Sequence, residues 1–385
     1  MNRDELIDAL GQSQTLLLAL VENTDEATCR NQYHPDLSPL GWHLGHCVYS
    51  ECLWLHEKVR GDDSVTAPIA DFYTPPRTPK PERGTRLPKQ ADLLMWAQEI
   101  QAFNLHYLRN LRAEWCAHPL LADDYLVHFL IQHNSQHYET MLMILTQKSL
   151  NAGQSGTLIP AQGLQAADLR RDSVDIPAGH YRIGGERPTA YDNELPLQQA
   201  DLGAYTISRL PVSNAEYLGF IEAGSYRDPG LWDDEGRAWL TASNVSHPDH
   251  WRQTTAGDWH AVGIHGVYAL AADEPVCGIS HHEASAFARW AGARLPHEYQ
   301  WEAACRIGAL EHTGRVWEWC GNTFQPYEGF TPFPYEEYSQ SWFDNRHYSL
   351  KGGSLHTRPA VKRPSFRNFF EADKRHMFAG LRLVY

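Results

Sequence analysis

The chain has no C-x-x-C pair, and its seven cysteines (29, 47, 52, 116, 277, 305 and 320) are odd in number and scattered. That argues against a structural zinc knuckle and against a disulfide scaffold, and a reducing cytoplasm is the expected compartment. No apolar run approaches the roughly 20 residues of a membrane span. The opening MNRDELIDALGQ is acidic and helical in pattern and lacks the charged-then-apolar layout of a secretory signal. Positive charge is scarce: 33 Lys and Arg against 47 Asp and Glu leave a net −14. A nucleic-acid backbone is therefore a poor ligand for this chain. Basic residues gather only in 346–375, where they alternate with aromatics. What is plentiful is histidine, 21 in 385 residues, beside 13 Trp and 18 Tyr. An otherwise ordinary globular composition so enriched points to a metal site or a binding pocket in a chain of about two domains.

The hydrophobic pattern changes character partway along. Up to residue 150 it is helical: 4–22, a segment from Ser38-Pro39 to about 59, 89–115 and 119–148 carry apolar residues at helical spacing. Ser followed by Pro marks the second start, with Pro in the first turn. Between the second and third segments, 61–88 is rich in proline and predicts a long irregular loop. Four helices with one long crossover predict a four-helix bundle over 1–150. Residues 151–172 read as a Gly/Gln/Ala/Ser linker. From 173 to 385 short strand patterns (VDIPAGHYRIGG, LGAYTISRLPVS, FAGLRLVY) alternate with short helices (NAEYLGFIEAG, HHEASAFARWAGA), which predicts an irregular α+β domain.

Chemistry concentrates in the bundle. His133 and His137 stand four apart in the fourth helical segment, so both imidazoles project from one helix face and can bind one ion. The second segment carries Trp42-His43-Leu44-Gly45-His46, where two His three apart share a face only loosely and one is expected to be a ligand. A third imidazole from a facing helix is what a bundle-core metal site requires. Three neutral imidazoles without thiolate suit iron(II), copper or zinc, with an oxygen-activating iron(II) site among the outcomes.

SPLGWHLGH (38–46) and HNSQHYETML (133–142) resemble the DinB-like iron-binding bundle of the ergothioneine-biosynthesis sulfoxide synthases, which read S-P-x-x-W-[DH]-L-[AG]-H and H-x-x-Q-H-x-E-T-[ML]. The second half resembles the formylglycine-generating-enzyme-like domain, related to C-type-lectin folds, that follows the bundle in that family. YDNELP, EPVCGISHHEASAFARWAGARLPHEYQWEAA, GRVWEW, KGGSLHTRPAVKRPSFRN and FAGLRL carry that likeness in order. The resemblance implies a mononuclear non-haem iron(II) enzyme that uses O2 to join a sulfur donor to C2 of the imidazole of hercynine, leaving a sulfoxide. It implies His46, His133 and His137 as ligands, with His43 where the family also accepts Asp. Gln136 matches a Gln that contacts the hercynine imidazole. Tyr335 and Tyr338 lie where the family places a proton-donating tyrosine, with Tyr335 favoured. Phe369 matches an aromatic near the trimethylammonium group, a cation that aromatic faces bind. Trp317 and Trp319 read as core residues.

The donor is where the chain departs from its family. Arg83 and Arg86 fit an R-x-x-R pair that could clamp a donor carboxylate. Members using γ-glutamylcysteine often read R-N-W-D where this chain reads Arg367-Asn368-Phe369-Phe370, so the amine-binding acid is missing. Phe370 in its place favours cysteine or a selenosugar, the latter being the donor of the sister selenoneine synthases. Two other classes are weighed: a metal-dependent DinB-type thiol transferase, which should lack the tyrosine loop and aromatic pocket, and a non-catalytic binding module, which three convergent His argue against. A formylglycine-generating oxidase would need a copper-binding cysteine pair near the C-terminus, and the last cysteine is Cys320.

Overall fold

The computed structural model of the chain describes residues 2–111, 117–152 and 163–385. Contacts divide it into two compact units, Met1–Ala152 with Arg187–Thr189, and Gly153–Glu186 with Ala190–Tyr385. Among the described residues no helix is long and apolar enough to cross a membrane.

The first unit is helical. Its long helices are α1 (Arg3–Glu22), α3 (Leu40–Cys52), α6 (Gln90–Arg109) and α7 (Tyr125–Asn151), with a short α2 (Glu26–Arg30) between the first two. Asn2 and Glu5 form a reciprocal capping box that starts α1. Helix α1 packs on α6 and α7, and α3 on the same two, which closes the expected bundle. Every residue of α3 is buried. It runs on as a π turn over Leu53–Lys58.

Four local expectations are corrected. The segment 61–88 is not an irregular loop: it folds into α4 (Ala70–Tyr73), a tight turn at Pro75–Arg77 and α5 (Lys80–Arg86), with proline standing at helix starts, where a missing N–H costs nothing. Ser38 does not cap α3. Pro39 occupies the cap position, and the Ser38 hydroxyl instead accepts from the Arg83 guanidinium. The third helix stops at Arg109, and the 112–116 part of the expected segment lies outside the described residues. The fourth starts at Tyr125 rather than 119, because Asp123 and Asp124 both take positive φ (52° and 58°) after a 3-10 turn, a backbone state that Asp tolerates better than most residues. Of the expected linker, 153–162 lies outside the described residues, and 163–172 carry no regular structure.

The second unit is a loop-rich α+β body, as its pattern implies. Strands β8 (Trp317–Thr323), β9 (His347–Lys351), β10 (Asn368–Glu371) and β11 (Ala379–Gly380) make a sheet of order β10-β9-β8-β11. Smaller sheets pair β1 (Ser173–Ile176) with β4 (Tyr205–Ser208), β2 (Gly179–Ile183) with β3 (Gln198–Leu202), and β5, β6 and β7 (Trp251–Gln253, Trp259–Gly263, Gly266–Ala269) in order. Helices α8 (Asn214–Glu222) and α10 (His281–Trp290) fall where the pattern puts them. Helices α9 (Asp234–Ser243) and α11 (Glu298–Arg306) are additional. Trp317 and Trp319 are core residues, both buried. Bidentate Arg382–Glu318 and Arg367–Glu298 pairs and a Lys351–Glu302 pair are sealed in this interior.

Candidate metal centre

His46 of α3 and His133 and His137 of α7 converge: a ligand nitrogen from each lies within 4.8 Å of the others. The helical repeat brings the His133 and His137 rings to 4.5 Å between centroids. His46 meets them at 5.3 and 4.9 Å from across the bundle. Burial disfavours the charged form of each ring. It pushes His46 down to about 4 and His133 down to about 3, and it holds His137 well below the ordinary value, with the neighbouring imidazoles adding to the effect for His133 and His137. Neutral imidazole is the form that binds a metal.

Each ring is held differently. His46 Nδ1–H donates to the Tyr73 carbonyl at 2.8 Å, which leaves Nε2 with its lone pair, the usual outer contact of a metal-binding histidine. Gly45 makes this contact attainable, since a Cβ there would sit inside the Tyr73 ring. The Trp42 indole stacks on His46 at 4.9 Å and donates from Nε1 to the Phe72 carbonyl. His137 shares a proton with His43 through their Nδ1 atoms, 2.8 Å apart. His43 thus stands behind His137, outside the set of three. Among the described residues His133 Nδ1 is buried with no hydrogen-bond partner, a donor set left incomplete by the protein alone. Three neutral nitrogens with neither carboxylate nor thiolate in the set fit a borderline divalent ion such as iron(II).

The other residues singled out by the sequence separate into groups. Gln136 is half-buried on α7, one residue before His137. Arg83 is buried and committed internally: it donates to the Thr78 and Pro75 carbonyls and to Ser38, and it lies 3.8 Å over the Trp42 ring. Its place is that of a pin holding the 61–88 segment against α3. Arg86 is exposed, with one bond to Thr78 Oγ1. Within the second unit, Phe369 and Phe370 are neighbours on β10, so they point to opposite faces. Phe369 stacks on Phe324 at 4.2 Å beside Trp342, whereas Phe370 meets His376 edge-on. Tyr335 and Tyr338 are both half-buried, with rings 6.1 Å apart. Tyr338 stacks on Tyr191 at 4.4 Å. Burial, with Asp192 close by, raises the Tyr335 phenol and keeps it protonated. Asp192 accepts from Ser339 Oγ and from the Phe333 amide, so it grips both sides of the tyrosine segment. Sequence reading missed Asp192, the Tyr73 carbonyl and Glu51; an acid isolated inside the apolar α3 pattern was the one available signal.

Known proteins agree with this layout. Residues 9–141 match the DinB superfamily, and residues 162–313 and 307–385 match the sulfatase-modifying factor enzyme 1-like domain. The chain is 31% identical to a hercynine oxygenase of Mycolicibacterium thermoresistibile over 100% of its own length and 95% of that protein's. It is 30% identical to a hercynine oxygenase of Mycobacterium tuberculosis over 99% of each. A formylglycine-generating enzyme of the latter organism is 35% identical over 35% of this chain and 51% of its own length.

Proposed function

The chain belongs to the hercynine oxygenase family of oxidoreductases, and on that premise we propose that it is an iron(II), O2-dependent enzyme that joins a sulfur or selenium donor to C2 of the hercynine imidazole. The observation that carries the reading is the convergence of His46, His133 and His137 as neutral imidazoles, the first two buried and the third half-buried. Iron(II) bound there would supply the O2 chemistry and leave coordination positions free for substrates. Gln136 is assigned to the substrate imidazole, because an amide can donate to or accept from a ring nitrogen. The Phe369 cluster offers aromatic faces to a trimethylammonium group, which cannot donate a hydrogen bond. Tyr335, kept protonated, is assigned as the proton donor, because Tyr338 is engaged in a stack with Tyr191. The substrates are small molecules and the working compartment is the cytoplasm.

The donor reading turns on Phe370. An apolar ring replaces the acid that would hold an ammonium, and a charge-assisted hydrogen bond of about 1.5–3 kcal/mol goes with it. Cysteine or a selenosugar is therefore the expected donor, with Arg86 contributing only where the donor carries a carboxylate. The test is turnover of hercynine with cysteine, γ-glutamylcysteine and a selenosugar in competition, read by mass spectrometry. Preference for γ-glutamylcysteine over both others refutes the donor assignment. In the same assay Tyr335→Phe should bind hercynine normally and lose sulfoxide or selenoxide formation. Loss in Tyr338→Phe alone would move the proton donor to Tyr338.

A further inference from the structure

Helix α3 contains a single ionisable acid, Glu51, and it is fully buried. An isolated carboxylate in such a place is strongly disfavoured unless it is hydrogen-bonded. Burial pushes Glu51 up to about 7 even though three donors pull the other way. Those donors come from the three other long helices of the bundle. Gln14 of α1 donates from Nε2 at 2.8 Å, Asn104 of α6 from Nδ2 at 3.1 Å, and Asn134 of α7 from Nδ2 at 3.1 Å. His56, in the π turn that follows α3, bonds Asn104 Oδ1 at 2.8 Å. That bond orients the Asn104 amide so that its nitrogen faces Glu51.

Asn134 is the residue after His133, and Glu51 lies five residues beyond His46 on the same helix. One carboxylate therefore ties the helix carrying one imidazole to the helix carrying the other two. We propose that Glu51 is a positioning residue of the metal centre, which sets the registry of α3 against α7 through Asn134 and so fixes the distance from His46 to His133 and His137. This rests on the reading of those three histidines as metal ligands. The carboxylate serves here because it accepts from several donors at once, which no apolar side chain of that size can do.

The test is the binding of iron(II), by chelator competition, and of cobalt(II), by its ligand-field absorption, to the metal-stripped full chain. Glu51→Ala and Asn134→Ala should each weaken iron binding about 10–100-fold, the range for outer residues that orient ligands, and should alter the cobalt spectrum. Glu51→Gln, which keeps an acceptor oxygen, should fall between them and the parent. Leu10→Ala, a buried apolar truncation in α1, is the control: it should lower the melting temperature and leave affinity and spectrum unchanged. The proposal is overturned if Glu51→Gln and Asn134→Ala match the parent in affinity and spectrum and lose only melting temperature. Those two variants decide the matter if Glu51→Ala does not fold. If the folded parent chain binds neither ion, the ligand assignment itself has failed, and this inference falls with it.

Discussion

The two units bury polar groups in opposite ways. The second unit seals whole ion pairs. Arg367 and Arg382 each meet a glutamate in two parallel bonds, with backbone carbonyls taking further N–H groups. Lys351 reaches Glu302 at 2.9 Å with neither side chain exposed. The bundle instead gathers four imidazoles around one point, three buried and His137 half-buried, with no acid among them, and among the described residues leaves His133 Nδ1 and His43 Nε2 without partners. A buried charge that is paired needs nothing more, whereas buried nitrogens left unpaired are costly unless something else binds them. The second unit also leaves His250 Nε2 without a partner among the described residues, so it is the convergence of three ring nitrogens within 4.8 Å of one another that marks the bundle's rings as a ligand site and the second unit's pairs as scaffold.

The largest expected effect lies in the bundle. His46→Ala, His133→Ala or His137→Ala should each abolish stoichiometric iron binding, measured by metal analysis after dialysis, and turnover with it. His43→Ala should keep the metal. Full iron in the His137→Ala protein would remove the contrast between the units, and equal loss in His43→Ala would show that the wrong member of that pair was assigned.

A smaller effect is expected where charges are paired. Glu298→Ala strands the Arg367 guanidinium in an interior that also holds Phe324 and Tyr327 against it. The cost should be about 3–5 kcal/mol, read as a lower denaturation midpoint. A loss under ~1 kcal/mol would mean that water reaches this pair and that the interior is less sealed than its burial indicates.

The smallest effect concerns pH. Buried His46 and His133 titrate near 4 and 3 in the fold, while an unfolded histidine titrates near 6.5. Between those limits the unfolded chain binds more protons, so stability falls as the pH falls. The metal-free chain should lose about 1.4 kcal/mol per pH unit for each such imidazole below roughly 6. The Glu298 carboxyl, which burial pushes up but Arg367 holds below its ordinary value, predicts no such loss in that window. The raised Glu51 and Asp192 carboxyls act in the opposite direction in the same window, so the histidine contribution is read as the difference between the parent and a His46→Ala/His133→Ala chain. An identical pH dependence of the two from pH 7 to 5 would contradict the burial of these rings.

Much of this was legible in the chain before folding. The change from helical to strand-and-turn patterning near residue 150 separates the bundle from the α+β body, because periodicity is a local property. His133 and His137 were readable as a pair, since any helix through i and i+4 presents them together. The choice between His43 and His46 was not readable from spacing, because three residues apart on one helix leaves both near the same face. The resemblance selected His46, and the fold brings it together with His133 and His137. Tyr73, brought from 27 residues away, offers its carbonyl to His46 across the space that Gly45 leaves open, and His43 falls behind His137. Helices α4 and α5 were hidden by prolines that read as breakers and in fact begin turns. Arg83 read as half of a carboxylate clamp, and its partners Thr78, Pro75 and Ser38 could not be foreseen because they come together only when 61–88 folds against α3. Glu51 went unread, although it is an odd acid in an apolar helix. Its three donors come from 37, 53 and 83 residues away, and no pattern within a single helix records a bond that exists only after four helices have packed.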